Sequence, residues 1–253
     1  MDIGIALPNA IPGASGAELT EWARRAEARG FSTLGTIDRV VYDNYEPLVA
    51  LAAAAAVTER IGLSTTVLLA PLRVNAVELA KQALSVNALS GGRLTLGVGL
   101  GAREDDYERS GVELEGRGAR FDAMLDQMRE VWAGADVGPA LGRSPRLIVA
   151  GHADVSFARA ARVGDGWIAA GSGPEEAAKG VEAVKAAWAE AGREGEPHIM
   201  ALAYFSLGER AEQDVRDNLM HYYAWLGDEV AGMIAGSAAK DPDTVRQYAS
   251  AYA

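Results

Sequence analysis

The residues best suited to chemistry in this sequence are glycines and a few polar side chains that follow short apolar runs. Residues 97–102 read Gly-Val-Gly-Leu-Gly-Ala and fit the looser form of the glycine-rich dinucleotide fingerprint. A Rossmann fold places this motif after its first strand, with an acidic residue about 20 positions later. Here the motif follows the fourth predicted strand and Glu104 comes almost at once. The context therefore favours a tight turn over a Rossmann site.

Other chemistries find no support in the residue types. The sequence contains no cysteine, which excludes disulfides, thiol nucleophiles and cysteine-ligated metals. It has no Gly-x-Ser-x-Gly turn for a hydrolase, and its three histidines lack the spacing of a metal-binding pair. We therefore expect no metal site. An apolar cluster at residues 220–226 predicts burial, with a dimer face or a pocket wall as the alternatives.

Strand-like and helix-like segments alternate along the chain, which predicts a parallel sheet covered on both faces. Seven such units favour an α/β fold of the (β/α)₈ TIM-barrel type over a doubly wound sheet. The predicted strands are residues 2–7, 33–37, 61–69, 93–100, 146–150, 166–169 and 199–207. The predicted helices are residues 18–29, 47–59, 74–89, 117–132, 155–163 and 174–191, followed by a helical stretch at 211–253.

No eighth strand is evident in this pattern. Either the barrel is incomplete, or residues 245–253 supply the strand, or the chain is truncated. The active site of a parallel barrel lies at the carboxyl ends of its strands. This rule directs attention to Leu7, Asp38, Arg39, the glycine motif and the pair Gly151-His152, all of which follow predicted strands.

Composition narrows the location and the partners. The chain has 253 residues, 49% of them hydrophobic, and no linker-like stretch, so we expect a single domain over residues 1–253. A formal net charge of −11 argues against nucleic acids and anionic membranes. The start lacks the pattern of a signal peptide, and the most apolar run is shorter than the roughly 20 residues that span a bilayer. These features predict a cytoplasmic protein.

Several segments, taken in order, resemble the bacterial luciferase-like monooxygenase family of flavin- and F420-dependent oxidoreductases. The run from Arg60 to Gly99 looks like the third strand, third helix and fourth strand of that family, with almost no gap. Residues 148–151 and the Gly-Asp-Gly-Trp-Ile at 164–168 resemble its fifth and sixth strands. The resemblance covers about residues 1–207.

Members of this family are barrels that bind FMN or the deazaflavin F420 at the strand ends. The resemblance implies a cis peptide bond between Thr66 and Val67, against which the ring packs; the alternative is that Thr65 and Thr66 are simply β-forming residues of a buried strand. It places the phosphate at Gly151-His152, where the N–H groups and the dipole of the following helix suit an anion. For the His152 side chain, the alternative is an exposed loop residue. The implied cofactor-binding residues are Leu7, Thr66, Val67, Gly99, Gly101, Ala102, Gly151 and His152.

Asp38 and Arg39 are the implied catalytic residues, and here the sequence departs from the family. Many relatives place a histidine beside an acidic residue after the second strand, where it transfers protons. This chain keeps the acid as Asp38 but has Arg39, whose guanidinium does not lose its proton. Arg39 is suited instead to hold an anionic substrate or the carbonyl edge of a flavin. The alternative is a loop ion pair with Asp43 or Glu46, which would contribute little.

Three functions remain open on this resemblance. The first is a monooxygenase that uses O₂ and reduced FMN, supplied by a flavin reductase, on a small organic substrate. The second is an F420-dependent oxidoreductase that transfers hydride without O₂. The third is a non-catalytic flavin-binding or cofactor-free barrel, which the missing strand and the absent histidine favour. Dimers are common among relatives, so we expect a homodimer.

Overall fold

Parallel strands and helices alternate along the chain in a computed structural model that describes residues 1–139, 142–171 and 173–253. The strands are β1 (Ile5–Ala6), β2 (Thr33–Thr36), β3 (Gly62–Thr65), β4 (Leu68–Leu69), β5 (Leu94–Gly99), β6 (Arg146–Ala150), β7 (Gly166–Ala170) and β8 (His198–Leu202). The helices are α1 (Gly16–Ala28), α2 (Pro47–Ala55), α3 (Ala76–Leu89), α4 (Glu104–Arg109), α5 (Arg117–Ala133), α6 (Asp154–Val163), α7 (Pro174–Glu190), α8 (Ala211–Tyr222), α9 (Asp228–Gly236) and α10 (Pro242–Ala251). Short 3₁₀ turns lie at Pro8–Ala10, Ala70–Leu72 and Ala224–Leu226.

The sheet is parallel, with the strand order β1-β2-β3-β5-β6-β7-β8 and with β4 paired to the end of β5. The predicted third strand is thus divided into β3 and β4 by Thr66 and Val67, and the peptide bond between these two residues is cis, as the resemblance implied. The architecture is an incomplete α/β barrel. This result confirms the predicted fold class.

The barrel is open between β8 and β1, which are not paired among the described residues. Beyond β8, Phe205 forms an isolated parallel bridge with Ala239. The Ala239 N–H donates to the Tyr204 carbonyl, and the Ser206 N–H donates to the Ala239 carbonyl, both at 2.9 Å. The segment after β8 therefore pairs with the segment that connects α9 to α10.

The tail does not supply an eighth strand, so that alternative is wrong. Residues 242–251 form helix α10 because Asp241 caps its first turn by accepting from the Thr244 N–H at 2.9 Å, and Pro242 occupies the first helical position. No helix of the described residues is both long and apolar enough to cross a membrane.

Successive residues of a strand point to opposite faces of the sheet and so belong to two different apolar layers. Ile148, Ala150 and Ile168 form a small interior cluster with Val67 and Met200. Their sequence neighbours, by contrast, pack in the large cluster beneath the helices. A two-residue period along each strand explains this separation.

Trp167 faces the helices and not the barrel interior. Its ring lies edge-on to Phe157 at a centroid distance of 5.6 Å. It also covers Gly180 on α7, where a Cβ atom would overlap the indole. Glycine at this position lets α7 approach the sheet closely.

Candidate active site

The predicted site residues lie at the carboxyl ends of adjacent strands. Asp38 and Arg39 follow β2, Thr66 and Val67 stand between β3 and β4, Gly99 ends β5, and Gly151 follows β6. The parallel pairing of these strands brings them to one edge of the sheet. Leu7 also follows its strand, but its side chain is buried in the large core cluster, away from the interior one. The sheet thus gathers the other predicted residues and leaves Leu7 beneath them.

Val67 packs closely against the glycines of β5. A Cβ atom at Gly99 would lie 2.9 Å from Val67 Cγ2 and 3.6 Å from the Ala150 methyl group. Thr66 is tied to β2, since its N–H and its hydroxyl both donate to the Thr36 carbonyl, at 2.7 and 3.1 Å. Thr65 ends strand β3 but Thr66 lies outside it, so the alternative that both are ordinary residues of a buried strand is wrong for Thr66. Thr66 anchors the turn, while Val67 presents a half-buried apolar surface at the strand ends.

The turn before α6 has the features of an anion site. Its N-terminal residue Ala153 offers no side chain to cap the first-turn N–H groups. Gly151 adopts a φ of +135°, and its carbonyl accepts from the Trp167 indole at 2.8 Å, which holds the turn in place. The His152 side chain is exposed and has Nε2 3.2 Å from the Ala170 carbonyl. Uncapped N–H groups at the positive end of a helix dipole attract an anion.

Asp38 is buried and engaged by Arg73. Its Oδ2 accepts from Arg73 Nη1 at 2.5 Å and from the Leu69 N–H at 2.7 Å, while Oδ1 accepts from Arg73 Nη2 at 3.2 Å. Arg73 also reaches Glu46 at 3.1 Å. Burial disfavours the Arg73 cation, but the two carboxylates outweigh this effect and raise its pKa. These contacts fasten the loop after β2 to the segment after β4.

Arg39 pairs with Asp106 at the start of α4, at 2.9 Å between Nε and Oδ2. The predicted ion pair with Asp43 or Glu46 is therefore wrong. Asp106 is 1% exposed and also accepts from the Val40 and Val41 N–H groups, so it fixes the whole loop after β2. Nothing in the sequence singles out Asp106 as the partner of Arg39. Its partner lies 67 positions away, a distance across which no spacing rule applies.

One nitrogen of Arg39, Nη1, is buried and has no hydrogen-bond partner among the described residues. The guanidinium carbon lies 5.3 Å from the centroid of the Tyr42 ring and 5.4 Å from that of Tyr222. Tyr222 belongs to the predicted apolar cluster at 220–226, whose role as a pocket wall this contact favours. Trp225 of the same cluster covers Arg103 at 5.4 Å. The C-terminal helices thus cover two arginines at the edge that carries the site.

The partly buried tyrosines of this region should resist ionisation in alkaline solution. Burial is the largest cause that raises the pKa of Tyr42, Tyr204, Tyr222 and Tyr223 above the ordinary value. A raised folded-state pKa gives stability that is fully present below pH of about 10 and is lost as the pH rises further. Ultraviolet difference titration of the eight tyrosines should show an early and a late group. A single early transition in the folded protein would contradict this assignment.

A sequence model of the luciferase-like monooxygenase family matches residues 1–252. The chain belongs to this family. The monooxygenase RslO1 from Streptomyces bottropensis is 26% identical, with a TM-score of 0.79 over 99% of this chain and 88% of that one.

Two further solved structures share the luciferase-like fold. An F420-dependent secondary alcohol dehydrogenase, solved with an F420–acetone adduct, has a TM-score of 0.80 at 16% identity, covering 100% of this chain and 90% of its own. The oxygenating constituent of 3,6-diketocamphane monooxygenase from Pseudomonas putida, solved with FMN, has a TM-score of 0.71 at 20% identity, covering 90% and 74%. Structural neighbours of the chain therefore include both flavin- and F420-dependent enzymes.

Proposed function

We propose that this protein is a luciferase-like monooxygenase that uses reduced FMN and O₂ on a small organic substrate. The observation that carries the proposal is the contact of the Thr66–Val67 turn with Gly99, on the same strand edge as the glycine turn before α6. A flat apolar surface and an anion site at one edge match the two ends of a flavin mononucleotide.

The residues present fit such a cofactor. Val67 with Gly99, Gly101 and Ala102 would support the ring and the ribityl chain, because a side chain at Gly99 would fill the space that Val67 occupies. The N–H groups that follow Gly151 would hold the phosphate. When bound, FMN would supply the redox chemistry, and the protein would supply orientation and a water-excluding pocket.

The contacts of Asp38 and Arg39 support FMN over F420. Hydride exchange with an alcohol or ketone requires a group that gives or takes a proton at the substrate oxygen. Both Asp38 oxygens are engaged by Arg73, and the guanidinium of Arg39 keeps its proton. Asp38 would therefore position the loop after β2 and would not transfer a proton.

Arg39 would serve as a hydrogen-bond donor through Nη1. Asp106 already balances its charge at 2.9 Å, so an anion placed at Nη1 would meet little net attraction. An uncharged oxygen, such as a carbonyl of the cofactor or of the substrate, suits the remaining donor. The rings of Tyr42 and Tyr222 would flank that oxygen.

Anaerobic titration of the purified protein with FMN, reduced FMN and F420, followed by fluorescence, tests the proposal. We expect reduced FMN to bind at micromolar concentration or below and Val67→Glu to abolish its binding, because a charge would replace the apolar surface. The control Val49→Glu changes an exposed valine on helix α2 and should bind like the wild type. Oxygen consumption with candidate substrates would then establish turnover.

Each other outcome has a definite meaning. Anaerobic oxidation of reduced F420 by substrate would establish the hydride-transfer function in place of the monooxygenase. Failure of all three cofactors to bind at micromolar levels would leave a barrel without cofactor chemistry.

We also propose a single barrel domain over residues 1–253, a cytoplasmic homodimer, and a separate flavin reductase. Light scattering and reconstitution with a reductase would test the last two.

A further inference from the structure

A cavity of about 560 Å³ opens at the amino-terminal end of the barrel, opposite the candidate active site. The starts of β2, β3, β5 and β6 form its floor, and Thr33 and Thr95 belong to this part of the lining. Four arginines line its walls, and one aspartate, Asp165, stands among them. These five charged residues are Arg93, Arg129, Arg143, Arg146 and Asp165.

Among the described residues, only one of the four guanidinium groups pairs with a carboxylate. Arg129 pairs with Asp165 at 3.1 Å. All five N–H groups of Arg93 donate to neutral oxygens, among them the Ile61 carbonyl at 2.7 Å and the Thr58 hydroxyl at 3.0 Å, so Arg93 contributes its charge to the cavity and not a hydrogen-bond donor. Arg143 donates to the Gly91 carbonyl at 3.1 Å. In the part of the chain that the structure describes, neither Arg143 nor the exposed Arg146 has a carboxylate partner.

No carboxylate among the described residues pairs with Arg93 by direct contact. The negative charge of Glu27 favours the Arg93 cation from a distance. The Glu27 carboxylate itself accepts from the N–H groups of Glu59, Arg60 and Ile61, at 2.6 to 3.1 Å. Burial disfavours the Arg93 cation and lowers its pKa. An anion in the cavity would relieve this cost.

We propose that the cavity binds a compact polyvalent oxyanion, either a small phosphorylated molecule or a polycarboxylate. Guanidinium groups bind both kinds of oxyanion in two-pronged fashion. The volume exceeds what one inorganic phosphate needs. A long polyanion such as a nucleic acid is disfavoured because the chain as a whole carries a formal charge of −11. The site is independent of the proposed flavin chemistry at the other end of the barrel.

Thermal unfolding in pyrophosphate and in citrate, each compared with sodium chloride at equal ionic strength, tests the site. A ligand that binds only the folded state raises its Tm, by roughly 5–10 °C at 100 times Kd for a domain of this size. We expect a saturable rise with at least one of the two anions and none with chloride. The arm that responds at the lower concentration identifies phosphate or carboxylate chemistry.

The double variant Arg143→Ser/Arg146→Ser should bind the responding anion about 10-fold or more weakly, since it loses two charge-assisted contacts. Arg29→Ser/Arg216→Ser is the matched control, because it removes two exposed arginines elsewhere and the same total charge. Both variants should retain the wild-type Tm in chloride and the wild-type affinity for reduced FMN.

Two results would overturn the proposal. One is an equal rise in Tm in chloride, which would show that the anions act only by screening charges on the protein. The other is a rise that persists in the Arg143/Arg146 variant, which would assign the anion elsewhere, with the turn before α6 as the first candidate. If neither the wild type nor either double variant binds FMN, while the anion still raises the Tm of the wild type, the proposed function is contradicted and the anion site is not.

Discussion

Replacing Gly151 by alanine should weaken FMN binding by about 100-fold, which corresponds to about 2.7 kcal/mol. Gly151 has a φ of +135°, a backbone conformation that residues with side chains rarely adopt. A Cβ atom there would overlap Ser156 Oγ and lie 2.7 Å from Ser156 Cβ. The turn must therefore move away from α6, and the N–H groups that would hold the phosphate move with it. Fluorescence titration with FMN measures the loss.

Gly192→Ala provides the matched control for this variant. Gly192 also has a positive φ, of +65°, but it follows α7 and has no atom within 4 Å of an added Cβ. Both variants should lose some stability, whereas only Gly151→Ala should lose FMN affinity. Adding Ser156→Gly to Gly151→Ala removes the overlapping atoms and should restore part of the binding. If Gly151→Ala binds FMN with the wild-type affinity, the phosphate does not bind at this turn.

The regular elements could be predicted because their causes are local. Ser15 and Glu18 form a reciprocal cap at the start of α1, and Gly30 ends it with a φ of +81°. Strand β6 has the predicted bounds, Arg146–Ala150, because it is a short apolar run between loop residues. Residues 61–69, by contrast, are all compatible with a strand, so their pattern alone gave no sign of the break at Thr66–Val67. Family resemblance located that break.

The partners within the site could not be predicted from spacing. Topology alone brings the strand ends together, so the positions of Asp38, Val67 and Gly99 follow from the fold. The loops decide which groups meet, and their contacts cross 35 positions for Asp38 with Arg73 and 67 for Arg39 with Asp106. The bridge from Phe205 to Ala239 has a similar origin: it joins single residues that no strand pattern marks.

Removing the carboxylate of Asp38 should destabilise the protein by about 3 kcal/mol, because breaking a buried ion pair leaves the remaining charge without compensation. The Asp38 side chain is 1% exposed, and Arg73 is 19% exposed with only Glu46 left as a partner. Asp38→Ala should therefore lower Tm by roughly 6–12 °C. The control Asp43→Ala, in the same loop, removes an exposed acid and should leave Tm within about 2 °C of the wild type.

A double-mutant cycle decides whether this effect belongs to the pair. Arg73→Met alone should also destabilise the protein, since it leaves the Asp38 charge buried. If the two residues act through each other, the double variant Asp38→Ala/Arg73→Met should be less destabilised than the sum of the single changes, by about 1 kcal/mol or more. Additive losses would show that Asp38 does not act through Arg73. Asp38→Asn separates the remaining roles, because it keeps an acceptor for the Leu69 N–H and removes the charge. Tm falls in this variant whichever role Asp38 has, so kcat decides: the folded fraction keeps its kcat if Asp38 only positions the loop and loses it if Asp38 transfers a proton.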